Sequence, residues 1–123
     1  EIAHSCESIY HEQIYGTGRI FSEFKKRREA LGVLLGQIYE LPDNFDTKLE
    51  YDEEIDKFLY ETIGYDVLNQ LCAGIFISGY AATSISEFFA RGFEEFFLGD
   101  ADALKKVSPK LYHTIKMLTT MED

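Results

Sequence analysis

Residues 84–98 read SISEFFARGFEEFFL, and their spacing decides the fold class. Ile85, Phe88, Phe89, Phe93, Phe96 and Phe97 recur at three and four residues, the repeat of one helix face. Ser84 is a favourable N-cap, and Ser84 with Glu87 forms an S-x-x-E capping box. Glu87 and Arg91 stand four apart in the favourable order for a helical ion pair. The stretch predicts the clearest helix in the chain, with its Phe stripe in a core rather than on a cofactor.

The same period runs outward in both directions. Ile2, Cys6, Ile9 and Tyr10 predict a first helix from Glu1 to about Tyr15, broken by the YGTG at Tyr15 to Gly18. A longer helix is expected from Arg19 to about Glu40, followed by a loop at LPDNFDTK, where Pro42, Asp43 and Asn44 form turns. Helices from Asp52 to about Ile63 and from Tyr65 to Cys72 follow. AGIFISGYAATS at 73–84 reads as irregular, with one short extended piece. Asp100 or Asp102 caps the ALKKV segment, and Ser108 as N-cap with Pro109 at the first helical position starts the last helix. The expectation is an all-α chain of about six helices, one domain over residues 1–123 with no repeat or linker.

Composition narrows the function classes. Eighteen aromatics, 10 Phe and 8 Tyr, supply enough apolar surface for a core in 123 residues. The net charge is −10, and the one basic cluster, KKRRE at 25–29, is short, so nucleic acid is not expected as a partner. The longest apolar run, CAGIFI at 72–77, is far too short to span a membrane. Cys6 and Cys72 lack a C-x-x-C spacing and make no disulfide framework; two buried thiols are expected, with one optional bridge between them left open. The acids at 52–54 and at Glu94 and Glu95 read as solvated faces, and His113 is given no role.

The chemistry-bearing signal lies at the amino end, in EIAH at 1–4. One His ahead of Glu1 would complete H-E-x-x-H, which sets two His one helical turn apart on one metal with the Glu beside its open position. The second such start, His11 with Glu12, fails because its fifth residue is Tyr15. A catalytic zinc needs a third protein ligand. SGYAATSISEFFARGFEEFF at 78–97 resembles the later active-site helix of the anthrax lethal factor-like zinc metallopeptidases, the family that includes the bacterial Pro-Pro endopeptidases. Their pattern is a Tyr, six residues, then E-[FY]-F-A-x-x-F; here Tyr80 precedes EFFARGF at 87–93. KKVSPKLYHTIKML at 105–118 looks like the family's closing helix. The resemblance covers Asp56 to Met117 and the first five residues.

The resemblance implies roles for four residues. Glu1 would be the general base, His4 and Glu87 zinc ligands, and Tyr80 the donor to the oxyanion formed at the attacked carbonyl. The first ligand His would precede Glu1. The chain would then be the C-terminal helical lobe of a secreted, toxin-related metallopeptidase, truncated within its zinc motif and without the upstream sheet lobe that holds peptide substrate. Such a fragment would be inactive, bind Zn²⁺ weakly or not at all, and expose Phe-rich surface suited to homodimer contacts. Three features depart from the family, the first being that the ligand His ahead of Glu1 is not among the 123 residues. Arg91 stands where members carry an acid, and residues 16–47 read as an inserted helix and loop. Arg91 favours the alternative, a degenerate, non-catalytic binding or structural domain of the same fold.

Overall fold

The computed structural model describes residues 2–121. Among them there are eight α-helices and no strands. They are α1 (Ile2–Ile9), α2 (His11–Tyr15), α3 (Arg19–Leu35), α4 (Glu53–Lys57), α5 (Tyr65–Leu71), α6 (Ile85–Leu98), α7 (Ala101–Val107) and α8 (Pro109–Met121). Wider π-type turns carry α4 on through Phe58–Ile63, and a single 3₁₀ turn, Tyr80–Ala82, leads into α6.

Helix α6 is central. It packs against α1, α3, α7, α8 and the 80–82 turn. Ser84 accepts from the Glu87 N–H at 3.2 Å, as half of the expected capping box. The amino-terminal half of the Phe stripe is fully buried: Phe88 lies against Phe24 and Phe76, with ring centroids 5.1 and 5.9 Å away. Burying each such ring contributes about 1.5–3 kcal/mol. The carboxyl-terminal half departs from the expected core. Phe97 and Leu98 are exposed, and with Ile2, Ala3, Phe93 and Glu94 they line a groove of about 660 Å³. Gly92 lets α8 approach, since a Cβ there would collide with the Leu111 side chain.

Four local expectations change. The first helix divides at Tyr10, although the Tyr10 N–H still reaches Cys6 at 2.9 Å and the Ile14 N–H reaches Tyr10 at 3.0 Å; beyond the kink, Ile14 and Tyr15 enter the core. Helix α3 ends at Leu35 rather than near Glu40: the Gln37 and Ile38 N–H groups close tighter i→i−3 bonds on the Leu34 (3.3 Å) and Leu35 (3.0 Å) carbonyls, and Ile38 is left in solvent. The extended piece in 73–84 is a lone bridge between Ala73 and Phe76. Ser108 holds the N-cap position of α8, its carbonyl accepting from the Tyr112 N–H at 2.9 Å, but its buried hydroxyl has no partner among the described residues and so does no capping. Glu23 of α3 does that work: its two oxygens accept from the Lys110 and Leu111 N–H groups at 2.9 and 3.0 Å. A carboxylate satisfies two orphan donors and also meets the positive end of the helix, which a serine cannot match. Glu23→Gln is therefore expected to cost about 1–2 kcal/mol. Ser108→Ala should stay within about 0.5 kcal/mol of the parent. Urea midpoints would show the reverse order if Ser108 were the cap.

Residues 16–47 pack into the core through Ile20, Phe24, Leu31, Leu35 and Phe45. Their structural centre is Arg28, which has no exposed surface. Its guanidinium donates to the carbonyls of Ala82 (2.9 Å), Thr83 (2.9 Å), Phe45 (2.8 Å) and Lys48 (2.8 Å). It lies between the Phe24 and Phe45 rings, 5.2 and 4.8 Å from their centroids. Burial pulls its pKa down to about 10, against the opposing charges of Asp46 and Asp52, so it remains charged at neutral pH. The segment thus clamps the turn that carries Tyr80.

Candidate metal centre

Helices α1 and α6 pack side by side, which brings together residues far apart in sequence. His4 projects from α1 and Glu87 from the first turn of α6, with His4 Nε2 3.8 Å from Glu87 Oε2. That is too long for a hydrogen bond. Zinc bonds of about 2.0–2.2 Å at tetrahedral angles put two ligand atoms about 3.3–3.6 Å apart, so a shift of a few tenths of an ångström would suffice. The other carboxylate oxygen, Glu87 Oε1, is buried without a hydrogen bond. Among the described residues a cation, Arg91 Nη2, lies 3.5 Å from it, and Arg91 makes a closer contact with Glu94 at 3.0 Å. An acceptor pair of this kind, with one imidazole nitrogen facing it, is a donor set of the class that zinc takes.

The fit is partial. Among the described residues no group of three or more His, Cys, Asp or Glu gathers to hold a metal. Glu1, expected as the general base, lies outside the described residues.

Tyr80, on the turn clamped by Arg28, shares this end of α6. Its ring stacks 5.1 Å from the Arg91 guanidinium carbon and 5.7 Å from the Tyr65 ring. The negative charge of Glu87 first, and burial second, hold its hydroxyl above the usual phenol range, while Arg91 pulls the other way. The hydroxyl is therefore protonated at neutral pH and able to donate.

A second set of contacts was not read from the sequence. His4 Nδ1, on the far side of the ring, lies 3.3 Å from Glu7 Oε1 and 3.3 Å from Ser86 Oγ. Ser86 donates to Glu7 Oε1 at 2.8 Å, and the Tyr15 hydroxyl donates to Glu7 Oε2. Burial, then the hydrogen bond to Glu7 and its charge, push the Tyr15 hydroxyl well above its ordinary pKa. The one local signal was H-x-x-E at His4 and Glu7, a spacing that places both on one helix face.

No protein-family model, curated protein or solved structure matches this chain. Among the described residues no helix is long and apolar enough to cross a membrane.

Proposed function

We propose that this chain carries part of the zinc centre of a peptide-bond hydrolase, with His4 and Glu87 as two of three protein ligands. The observation that supports it is their meeting at 3.8 Å across 82 intervening residues, with one Glu87 oxygen left unbonded. The third ligand would come from outside the described residues, in first place from a His ahead of Glu1. Bound zinc supplies Lewis acidity that activates a water for attack on a carbonyl. Tyr80, protonated at neutral pH, donates a hydrogen bond to the carbonyl oxygen as it gains charge, a contribution of about 3 kcal/mol where such donors have been removed. Glu1, one position beyond that His, is assigned to take the proton of the water.

One observation favours a second reading, a non-catalytic binding or structural domain of the same fold. Arg91 sits beside Glu87 and Tyr80, where it competes for the carboxylate and stacks on the ring. A peptide-library cleavage assay on the parent protein separates the two. Chelator-sensitive cleavage that disappears in Glu87→Gln is the expected result. A parent with a residue other than His ahead of Glu1 and no cleavage would leave the binding domain.

A further inference from the structure

We propose that Glu7 is a positioning residue: its carboxylate, held by Tyr15 and Ser86, keeps the His4 proton on Nδ1 and presents a bare Nε2 toward Glu87. The inference deepens the zinc reading and rests on it for its consequence.

The tautomer follows from counting hydrogens. A neutral imidazole donates from one nitrogen and accepts at the other. Two oxygens face His4 Nδ1, Glu7 Oε1 and Ser86 Oγ, each at 3.3 Å. A carboxylate has no hydrogen to give. Ser86 has one, and spends it on Glu7 Oε1 at 2.8 Å. Tyr15 also spends its only hydroxyl proton on Glu7. Both oxygens facing Nδ1 are therefore acceptors, and Nδ1 carries the proton, shared between them. The lone pair is left on Nε2, the nitrogen that faces Glu87 at 3.8 Å.

The hub is also fixed in place. Glu7 is mostly shielded from solvent, with 15% of its side chain exposed, and Tyr15 is buried at 8%. Tyr15 sits beyond the kink at Tyr10, so the bend in the first helix brings its hydroxyl back onto Glu7. Ser86 comes from α6, next to Glu87 in sequence, so one carboxylate ties the imidazole to the helix that carries the other candidate ligand. A carboxylate behind a ligating His fixes its tautomer and orientation and raises its basicity. At position 91, where the family resemblance leads one to expect an acid, this chain has Arg; Glu7 supplies a carboxylate from the helix of His4 itself.

The test is a long-range ¹H–¹⁵N spectrum of the full 123-residue chain, labelled at histidine, metal-free at pH 8.5, with His4→Gln to assign the signals. The expected result is a protonated Nδ1 and an unprotonated Nε2 for His4. Glu7→Gln, which keeps the shape and one acceptor oxygen, should move His4 toward the Nε2–H tautomer while circular dichroism stays unchanged. A purely structural Glu7 would alter the urea midpoint and leave the tautomer alone. A wild-type His4 with its proton on Nε2, or an unchanged tautomer in Glu7→Gln, overturns the proposal; should the variant fail to fold, the wild-type spectrum decides. ZnCl₂ is then titrated into both chains carrying one added His ahead of Glu1, which supplies the third ligand the zinc reading requires. A roughly 10–100-fold weaker response in Glu7→Gln is expected. Absence of any zinc response in a wild type with the correct tautomer would sink the zinc reading and leave the positioning role standing.

Discussion

Arg28→Met lowers the free energy of unfolding by about 3–5 kcal/mol, the range for breaking a buried charged network by removing one partner. Two effects compete. Removing a buried cation relieves its desolvation, and a Met side chain fills comparable space between the Phe24 and Phe45 rings. Replacing a buried ion pair by apolar groups is often neutral for that reason. Here, however, the partners are four main-chain carbonyls, of Phe45, Lys48, Ala82 and Thr83, and no side-chain substitution removes them. Each buried carbonyl left without a donor costs about 1–3 kcal/mol, so the loss exceeds the relief. Arg28→Lys should fall between, because a point charge cannot reach four acceptors spread around a planar fork.

Urea unfolding followed by circular dichroism reads the effect as a lower midpoint at unchanged slope. Against a typical total of about 5–15 kcal/mol, the loss leaves a chain that is folded only marginally. The bonds to Ala82 and Thr83 hold the turn bearing Tyr80, so amide exchange at 80–84 should quicken ahead of the rest of the molecule. A midpoint within 1 kcal/mol of the parent would show that Arg28 is not the clamp between residues 16–47 and α6.

These interactions mark the boundary of what could be read from residues alone. Helix α6, its Ser84 cap, the Asp52 and Asp100 caps and the Pro109 start are all local: each signal lies within four residues of its partner. The all-α class follows from such signals, although eight helices stand where about six were expected: the first helix is divided at Tyr10, and the capped 101–107 segment forms a helix of its own. Arg28, by contrast, sits in KKRRE, where its neighbours Lys25 and Lys26 are exposed and it alone turns inward. Its partners at Ala82 and Thr83 are 54 and 55 residues away, and those of Glu23 are 87 and 88 away. Nothing in a charged side chain's immediate neighbours says that it is buried against distant backbone. The pairing of His4 with Glu87 was expected from family resemblance rather than from period or charge. The Glu7 hub needed the kink, and no helix rule foretold the kink.

Glu87→Gln is expected to weaken zinc or cobalt binding at least about 100-fold, more than the 10–100-fold typical of losing an outer partner, because it removes a donor oxygen itself. Its effect on folding should be small. What the Glu87 side chain gives the fold is an i,i+4 pair with Arg91, worth a few tenths of a kcal/mol, together with partly exposed contacts to His4 and the Tyr80 hydroxyl, and its capping N–H to Ser84 is main-chain and survives the change. A large loss of affinity at a nearly constant urea midpoint thus separates a ligand from a structural carboxylate. Arg91→Gln should move affinity the other way. It frees Glu87 Oε1 from a cation 3.5 Å away, and a partly exposed pair of this kind is worth about 0.2–1 kcal/mol, a gain of at most a few-fold. The opposite signs are the informative part, since a generic loss of structure would weaken binding in both variants. Cobalt titration by visible absorption, on the chain with a His added ahead of Glu1, measures both. Equal affinity in the wild type and Glu87→Gln would remove Glu87 from the centre, and with it the meeting of α1 and α6 on which the hydrolase reading depends.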